Sequence, residues 1–456
     1  MRLRFLRGWL GQLAVGLTVA VALTAVLALA IAHGGTPRRP ASEPSALSTV
    51  GPAAAVATDT PSPSATDSPA PTPTPAASPS PSPTPAPTPA PTPAPTNAGW
   101  QARHLPSSIG PLMGLACVDT SHCWAVGEDP TGFAPAIAAT ADGGVTWTAQ
   151  RVPQRPASLQ AVFDVSCFSS LRCVAAAATS GGETTSVALT TTDGGATWTQ
   201  RGLPAAGQNG PTRLACAGTS TCSLYGADVP RGANVLDVST DAGATWVATT
   251  APEAVCSLAQ SCRLSAMTFV NAEDGWLAAD RCPNSGACTG LIAATSDGGT
   301  TWRTVHTGDG YLGDIWCGAA ARGVDCIAVG ATALASHDGG ATWSATSLTN
   351  PLTSISCAGP LHCTAVGSHS QAWDQAGLIP QQGVVAITSD GAASWSMQLL
   401  PAGTSTWLNR VSCVSASACM LVGGQQPKVA YAGGPPGSGP QTSALVMTSV
   451  GWQHPG

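Results

Sequence analysis

A ten-residue phrase recurs six times in this chain: TADGGVTWTA, TTDGGATWTQ, STDAGATWVA, TSDGGTTWRT, SHDGGATWSA and TSDGAASWSM. Its tryptophans, Trp147, Trp198, Trp246, Trp302, Trp343 and Trp395, stand 41 to 56 residues apart. That period suits a four-stranded propeller blade. In each copy an acid opens a glycine-rich turn: Asp142, Asp193, Asp241, Asp297, Asp338 and Asp390. A carboxylate there can accept hydrogen bonds from exposed backbone N–H groups, while glycine adopts conformations other residues resist. Catalysis has no use for the same acid in blade after blade, so these aspartates are expected to brace their turns. The indoles are expected to bury against their own blades. The sixth copy is the weakest, because Ala392 stands where a glycine is expected.

Sixteen cysteines accompany the repeat, in order Cys117/Cys123, Cys167/Cys173, Cys216/Cys222, Cys256/Cys262, Cys282/Cys288, Cys317/Cys326, Cys357/Cys363 and Cys413/Cys419. Seven of the eight pairs enclose five residues, a spacing unlike that of zinc knuckles. The stretches LACVDTSHCWAVG, ISCAGPLHCTAVG and VSCVSASACMLVG each read as strand, short polar turn, strand. Facing positions on neighbouring strands lie within disulfide reach, which predicts local bonds across hairpin mouths. Blade 4 departs from this pattern: MTFVNAEDGWLAAD puts Phe269 and Gly275 at the two cysteine positions, with Trp276 beside them. An aromatic pair is expected to replace the covalent pin there. Cys256, Cys262, Cys282 and Cys288 then belong to other loops, and four cysteines allow three pairings.

The six phrases resemble the Asp-box, or bacterial neuraminidase repeat, of sialidase-like β-propellers. TFVNAEDGW in blade 4 is similar to the repeat of the photosystem II stability and assembly factor propellers. The resemblance covers residues 98 to 456 and implies an all-β, seven-bladed propeller of four-stranded antiparallel blades. Six blades end in the boxes. The seventh begins at Val411 and reaches only a decayed box at Thr448 to Trp452. WQARHLP, from Trp100, parallels WTQRGLP, from Trp198, so the N-terminal segment is expected to supply the outer strand of blade 7. In such a ring the cysteine hairpins and Asp-box turns share one face. The long loops 367–383 and 423–440 fall on the other.

The first 97 residues differ in kind. Leu13 to Ala32 is an uncharged apolar run of 20 residues, about 30 Å as a helix and enough to span a bilayer. The reading is a cytoplasmic N-terminus (1–12), a transmembrane signal anchor (13–32) and a disordered Pro/Thr/Ala/Ser-rich linker (33–97), with the propeller held outside the membrane. Arg2, Arg4 and Arg7 support that orientation. The alternative is a signal peptide cut after Ala30-Ile31-Ala32, leaving a secreted domain. Residues 98–456 carry 12 arginines and Lys428 against 21 acids, a net charge of −8, which argues against a nucleic-acid partner.

The expected function is therefore non-catalytic: a binding or scaffold module for a protein, peptide or glycan, with no cofactor and no metal. Trp373, Asp374, Gln375, Gln425, Gln426 and Tyr431, from the two long loops, are the ligand-binding candidates, because aromatics and amides suit sugar stacking or peptide contact. The alternatives are a glycoside hydrolase and an assembly factor for an envelope or membrane protein complex. A hydrolase needs paired carboxylates across a cleft. Asp164, Asp314, Glu128 and Asp129 are nominal sources, with Tyr225, Tyr311 and Tyr431 the available phenols, but nothing in their sequence surroundings marks an acid–base pair.

Overall fold

The computed structural model describes residues 99–449 apart from 157, 180–185, 205–210, 229–232, 250–254, 257–261, 283–286, 322, 371–380, 401–403 and 428–441. The apolar run, the proline-rich segment and the last residues lie outside the described part. Among the described residues no helix is long and apolar enough to cross a membrane.

Among the described residues twenty-eight strands form seven four-stranded antiparallel sheets. Six sheets take consecutive strands, at residues 112–150, 159–202, 211–249, 262–309, 312–347 and 352–399. The seventh joins Thr404–Cys413, Cys419–Pro427 and Ser443–Ser449 to the N-terminal strand Trp100–Arg103. Trp100 pairs with Ser449 and Arg103 with Val446, and the Arg103 Nε donates to Thr448 Oγ1 at 2.9 Å. The ring is closed as the parallel between WQARHLP and WTQRGLP predicts.

Apolar packing lies in the seams between blades, not within single blades. Seven buried clusters each combine two successive blades; Trp124, Val126 and Ile137 of blade 1, for instance, meet Val162, Val165, Leu189 and Trp198 of blade 2. This corrects the expectation that each box indole buries against its own blade. Trp147 packs with Met420 and Val446 of blade 7, and Trp246 with Val174 and Ala188 of blade 2. A flat sheet has two apolar faces to cover, and in a ring its neighbours cover both.

The boxes are braces. In the first, Thr146 donates its N–H (2.9 Å) and its hydroxyl to Asp142, and Thr140 Oγ1 both donates to Asp142 and accepts from the Gly144 N–H. The same arrangement recurs at Asp193, Asp241, Asp297, Asp338 and Asp390. Ala242 (φ 59°) and Ala392 (φ 71°) adopt the left-handed backbone that glycine takes elsewhere in the boxes, so the bonds override the steric preference at both. Each box turn also donates to the first hairpin of its blade, as Gly143 N–H does to Ser121 O (2.9 Å) and Gly391 N–H to Leu361 O (3.2 Å). Boxes and hairpins therefore share one face.

All sixteen cysteines form bonds with their sequence neighbours. Six bonds pin the first hairpin of a blade: Cys117–Cys123, Cys167–Cys173, Cys216–Cys222, Cys317–Cys326, Cys357–Cys363 and Cys413–Cys419. These are the local bonds expected across the hairpin mouths, and they lie deep in the fold. Cys123, Cys173, Cys222, Cys326, Cys363 and Cys419 are buried, at most 3% exposed, and each belongs to the apolar cluster of a seam. Directly paired residues of an antiparallel hairpin put both side chains on one face, and in the ring that face is covered by the adjacent blade. These sulfurs are core atoms as well as covalent pins.

Blade 4 is bonded differently. Of the three pairings open to its four cysteines, the structure has Cys256–Cys262 and Cys282–Cys288. Phe269 does pair with Gly275 where other blades pair cysteines. Its aromatic partner is Trp302, edge-on at 6.2 Å, instead of Trp276, which is buried in the seam with blade 5. Gly275 is required at this point, because a Cβ would lie 2.4 Å from the Phe269 ring.

Candidate functional site

The inner strand of every blade is bulged at the same place. The register slips immediately before Gly114, Asp164, Arg213, Ala266, Asp314, Ser354 and Arg410. Each of these stands three residues ahead of the first hairpin cysteine, or of Phe269 in blade 4. A bulge re-aims the side chain that follows it. Here it directs Asp164, Arg213, Asp314, Ser354 and Arg410 into a central cavity of about 300 Å³. Tyr225 and Ser265 line the same space, which extends along the inner strands to Cys117, Cys167, Cys216 and Phe269.

Both acids bridge two blades. Asp164 accepts the N–H of Val165 (3.0 Å) and of Leu214 in blade 3 (3.2 Å), and its Oδ2 lies 3.2 Å from Arg410 Nη2 of blade 7. Asp314 accepts the N–H of Ile315 (2.9 Å) and of Ile355 in blade 6 (3.1 Å). Burial pushes both carboxyls up to about 6, against the pull of the Arg213 charge and of these N–H groups. Asp280 links blades 4 and 5 in the same way, through Leu312 N–H and the Ser265 hydroxyl, and burial raises it too. Desolvation pushes the Tyr225 phenol well above its ordinary value, so it is a neutral donor and acceptor.

Arg410 reaches from blade 7 past blade 1 because blade 1 contributes Gly114. A Cβ there would lie 2.8 Å from the Asp164 Cα, so only glycine lets blades 1 and 2 close to this distance. One end of the Arg410 guanidinium holds Asp164, while its buried Nη1 has no partner among the described residues. Arg213 is half-buried and acts on both acids through its charge.

The structure thus brings together Asp164, Asp314 and Tyr225, which the sequence offered only as scattered groups. Glu128 and Asp129 are elsewhere, at the turn 129–134 between the second and third strands of blade 1, where Asp129 accepts the N–H groups of Phe133 and Ala134. Tyr311 is not among the residues lining the cavity. Trp373, Asp374, Gln375 and Tyr431 lie outside the described residues. Gln425 and Gln426 are half-buried residues of the strand Cys419–Pro427, paired with Thr406 and Ser405, and not the loop residues expected. The long inner strand Thr404–Cys413 extends their pairing beyond Gly423. Arg213, Ser354 and Arg410 were not singled out by sequence, although their shared offset from the cysteines was legible. Among the described residues no group of three His, Cys, Asp or Glu is placed to hold a metal.

No protein-family model and no curated protein matches the chain in sequence. Among solved structures it is similar to YCF48 bound to D1 peptide, with 15% identity and a TM-score of 0.50 over 77% of this chain and 94% of that one. YCF48 from Cyanidioschyzon merolae aligns at 14% identity, a TM-score of 0.49, and 77% and 98% coverage. The GH74 xyloglucanase from Xanthomonas campestris aligns at 13% identity and a TM-score of 0.51, over 74% of this chain and 54% of that enzyme. At such identities the likeness is one of fold: the seven-bladed propeller that the Asp-box phrases indicated.

Proposed function

We propose that this propeller is a non-catalytic module that binds a protein segment or peptide, held outside the membrane by residues 13–32. The observation that carries the reading is the state of the central cavity. Its acids are already engaged by backbone N–H groups of adjacent blades, whereas Arg410 Nη1 is buried without a partner among the described residues and Arg213 faces the same space. An unpaired buried guanidinium donor favours a ligand that brings an oxyanion, such as an acidic side chain or a chain terminus. The similarity in fold to YCF48, solved with a peptide bound, is consistent with a peptide in that role.

The hydrolase alternative draws on one observation. Asp164 and Asp314 line one cavity with carboxyls raised to about 6, the range in which a general acid works. A displayed random-peptide library panned on residues 98–456 separates the two readings. The binding reading expects enriched peptides that share an acidic residue or need a free C-terminus, and that bind Arg213→Gln about tenfold more weakly. Absence of enrichment, together with turnover of a glycan panel that Asp314→Asn abolishes, would replace it by the hydrolase.

A further inference from the structure

We propose that the outer seam between blades 1 and 2 is a second binding site, for the oxyanions of an acidic polysaccharide. Residues 151–155 leave the outer strand of blade 1 and run beside the outer strand of blade 2. Together with the second box turn they enclose a cleft of about 490 Å³. Arg151, Gln154 and Arg155 line it and are exposed; Val152 and Pro153 form a half-buried apolar floor between the arginines.

The walls are fixed independently of any ligand. Gln200 Nε2 donates to Pro153 O at 2.8 Å, and Gln154 Oε1 accepts the Leu159 N–H at 3.0 Å. Opposite them, Trp198 Nε1 donates to Gln150 Oε1 at 2.8 Å, and Gln150 Nε2 donates to Gly194 O at 2.9 Å. Both sides of the cleft are therefore held by bonds across the seam, while Arg151, Gln154 and Arg155 remain exposed.

The charge placement is particular to this seam. Seven connections lead from an outer strand to the next inner strand, at residues 104–111, 151–158, 203–210, 250–261, 310–311, 348–351 and 400–403, and Arg151 and Arg155 are the only Arg or Lys residues in any of them. They occur in a domain whose net charge is −8. Among the described residues no acid lines the cleft, and the adjacent Asp193 is engaged by Thr191 and Thr197.

That donor set selects the ligand chemistry. Guanidinium groups bind oxyanions through paired N–H donors. Four residues separate the two arginines, at most about 14 Å of chain, and a ligand with more than one oxyanion can engage both at once. A chain carrying oxyanions at regular intervals engages both. A peptide would also bring backbone N–H donors, which need acceptors, and side-chain acceptors are scarce in these walls. A sugar chain with carboxylates or sulfates presents oxygen acceptors along its length, and its C–H faces suit the Val152–Pro153 floor.

The test is fluorescence anisotropy on the full-length protein at low salt, with labelled polygalacturonate oligomers as the carboxylate arm and heparin oligomers as the sulfate arm. Neutral dextran and poly-L-glutamate are the comparison probes. We expect binding in at least one acidic-glycan arm, weakened about tenfold or more by the Arg151→Gln/Arg155→Gln double variant. We expect it to be unchanged in Arg303→Gln, an exposed arginine on another blade, and in Arg213→Gln of the central cavity. Failure of both glycan arms, equal loss in Arg303→Gln, no loss in the double variant, or equally tight binding of poly-L-glutamate would each overturn the proposal.

Discussion

The carboxyl groups of the central cavity give the stability of the ring a pH dependence that runs opposite to ordinary acid denaturation. Asp164 titrates near 6 in the folded protein, against 3.8 for a free carboxyl. Between those values the folded state binds the proton more tightly than the unfolded chain, so stability is gained as pH falls through 6 and lost as pH rises through it. A displacement of about 2 pH units corresponds to about 3 kcal/mol in full, of which about 2 kcal/mol is realised between pH 7 and pH 4. His306, lowered by burial, opposes this trend over the same interval, so absolute curves mix several groups. Asp164→Asn isolates the one in question: its stability relative to the wild type should fall by about 2 kcal/mol on going from pH 7 to pH 4. Urea unfolding with the disulfides intact, followed at half-unit pH steps, measures this difference. A difference constant to within about 0.5 kcal/mol across the range would refute the claim that burial governs this carboxyl.

Below pH 4 the sign reverses. Asp193, Asp241, Asp297 and Asp338 are held down to about 2, foremost by the hydroxyl of the box threonine, so their stabilisation is lost as pH falls from 3.8 through 2. A melting-temperature profile should therefore drop steeply between pH 4 and pH 2, and Thr245→Val should flatten that drop. Gly114→Ala places a methyl group 2.8 Å from backbone of blade 2 and should destabilise the domain by about 1–3 kcal/mol, weakening the Arg410–Asp164 contact. Trp100→Ala, at the partly buried closure of the ring, should cost about 2–3 kcal/mol. Hydrogen exchange should show the resulting loss of protection concentrated in blade 7.

The sequence announced the architecture through residues that recur. The box aspartates and glycines, the paired cysteines and the echo between WQARHLP and WTQRGLP are each used many times for one local purpose, so their meaning survives without three-dimensional information. Two expectations failed because they treated a blade as self-contained. The box indoles enter the seam with the preceding blade, and Phe269 meets Trp302 in place of its chain neighbour Trp276. The hairpin cysteines pair as expected, and the burial of Cys123, Cys173, Cys222, Cys326, Cys363 and Cys419 in seam cores is a feature that their spacing does not reveal. These outcomes depend on how sheets stack, which local pattern does not encode. Gln425 and Gln426 were misread for a related reason: Gly423 and Gly424 suggested a loop, but Trp407 packs its ring against Gly424 and the strand continues through Pro427.

The cavity residues were missed because a search for repeats discards the positions that vary. In five blades the bulge turns one position into the central cavity, free of the blade's own hairpin and box; in blade 4 that position, Ala266, is buried in the seam with blade 5 and Ser265 lines the cavity instead. Around the ring that position reads Gly, Asp, Arg, Ala, Asp, Ser, Arg. What a blade must do to stand in the circle constrains the repeated residues, leaving this one to differ between blades. Specific chemistry in such a fold is therefore to be sought at a fixed offset from the regular spacing of the repeat. At that offset Asp164 and Arg410 meet across Gly114, three blades each contributing a different residue to one contact. Exchanging Asp164 with Arg213 would keep composition and repeat unchanged while removing both the Leu214 bond and the Arg410 contact. We expect that double exchange to abolish the proposed peptide binding and to lower the melting temperature, whereas replacing a box acid, as in Asp241→Asn, would affect stability alone.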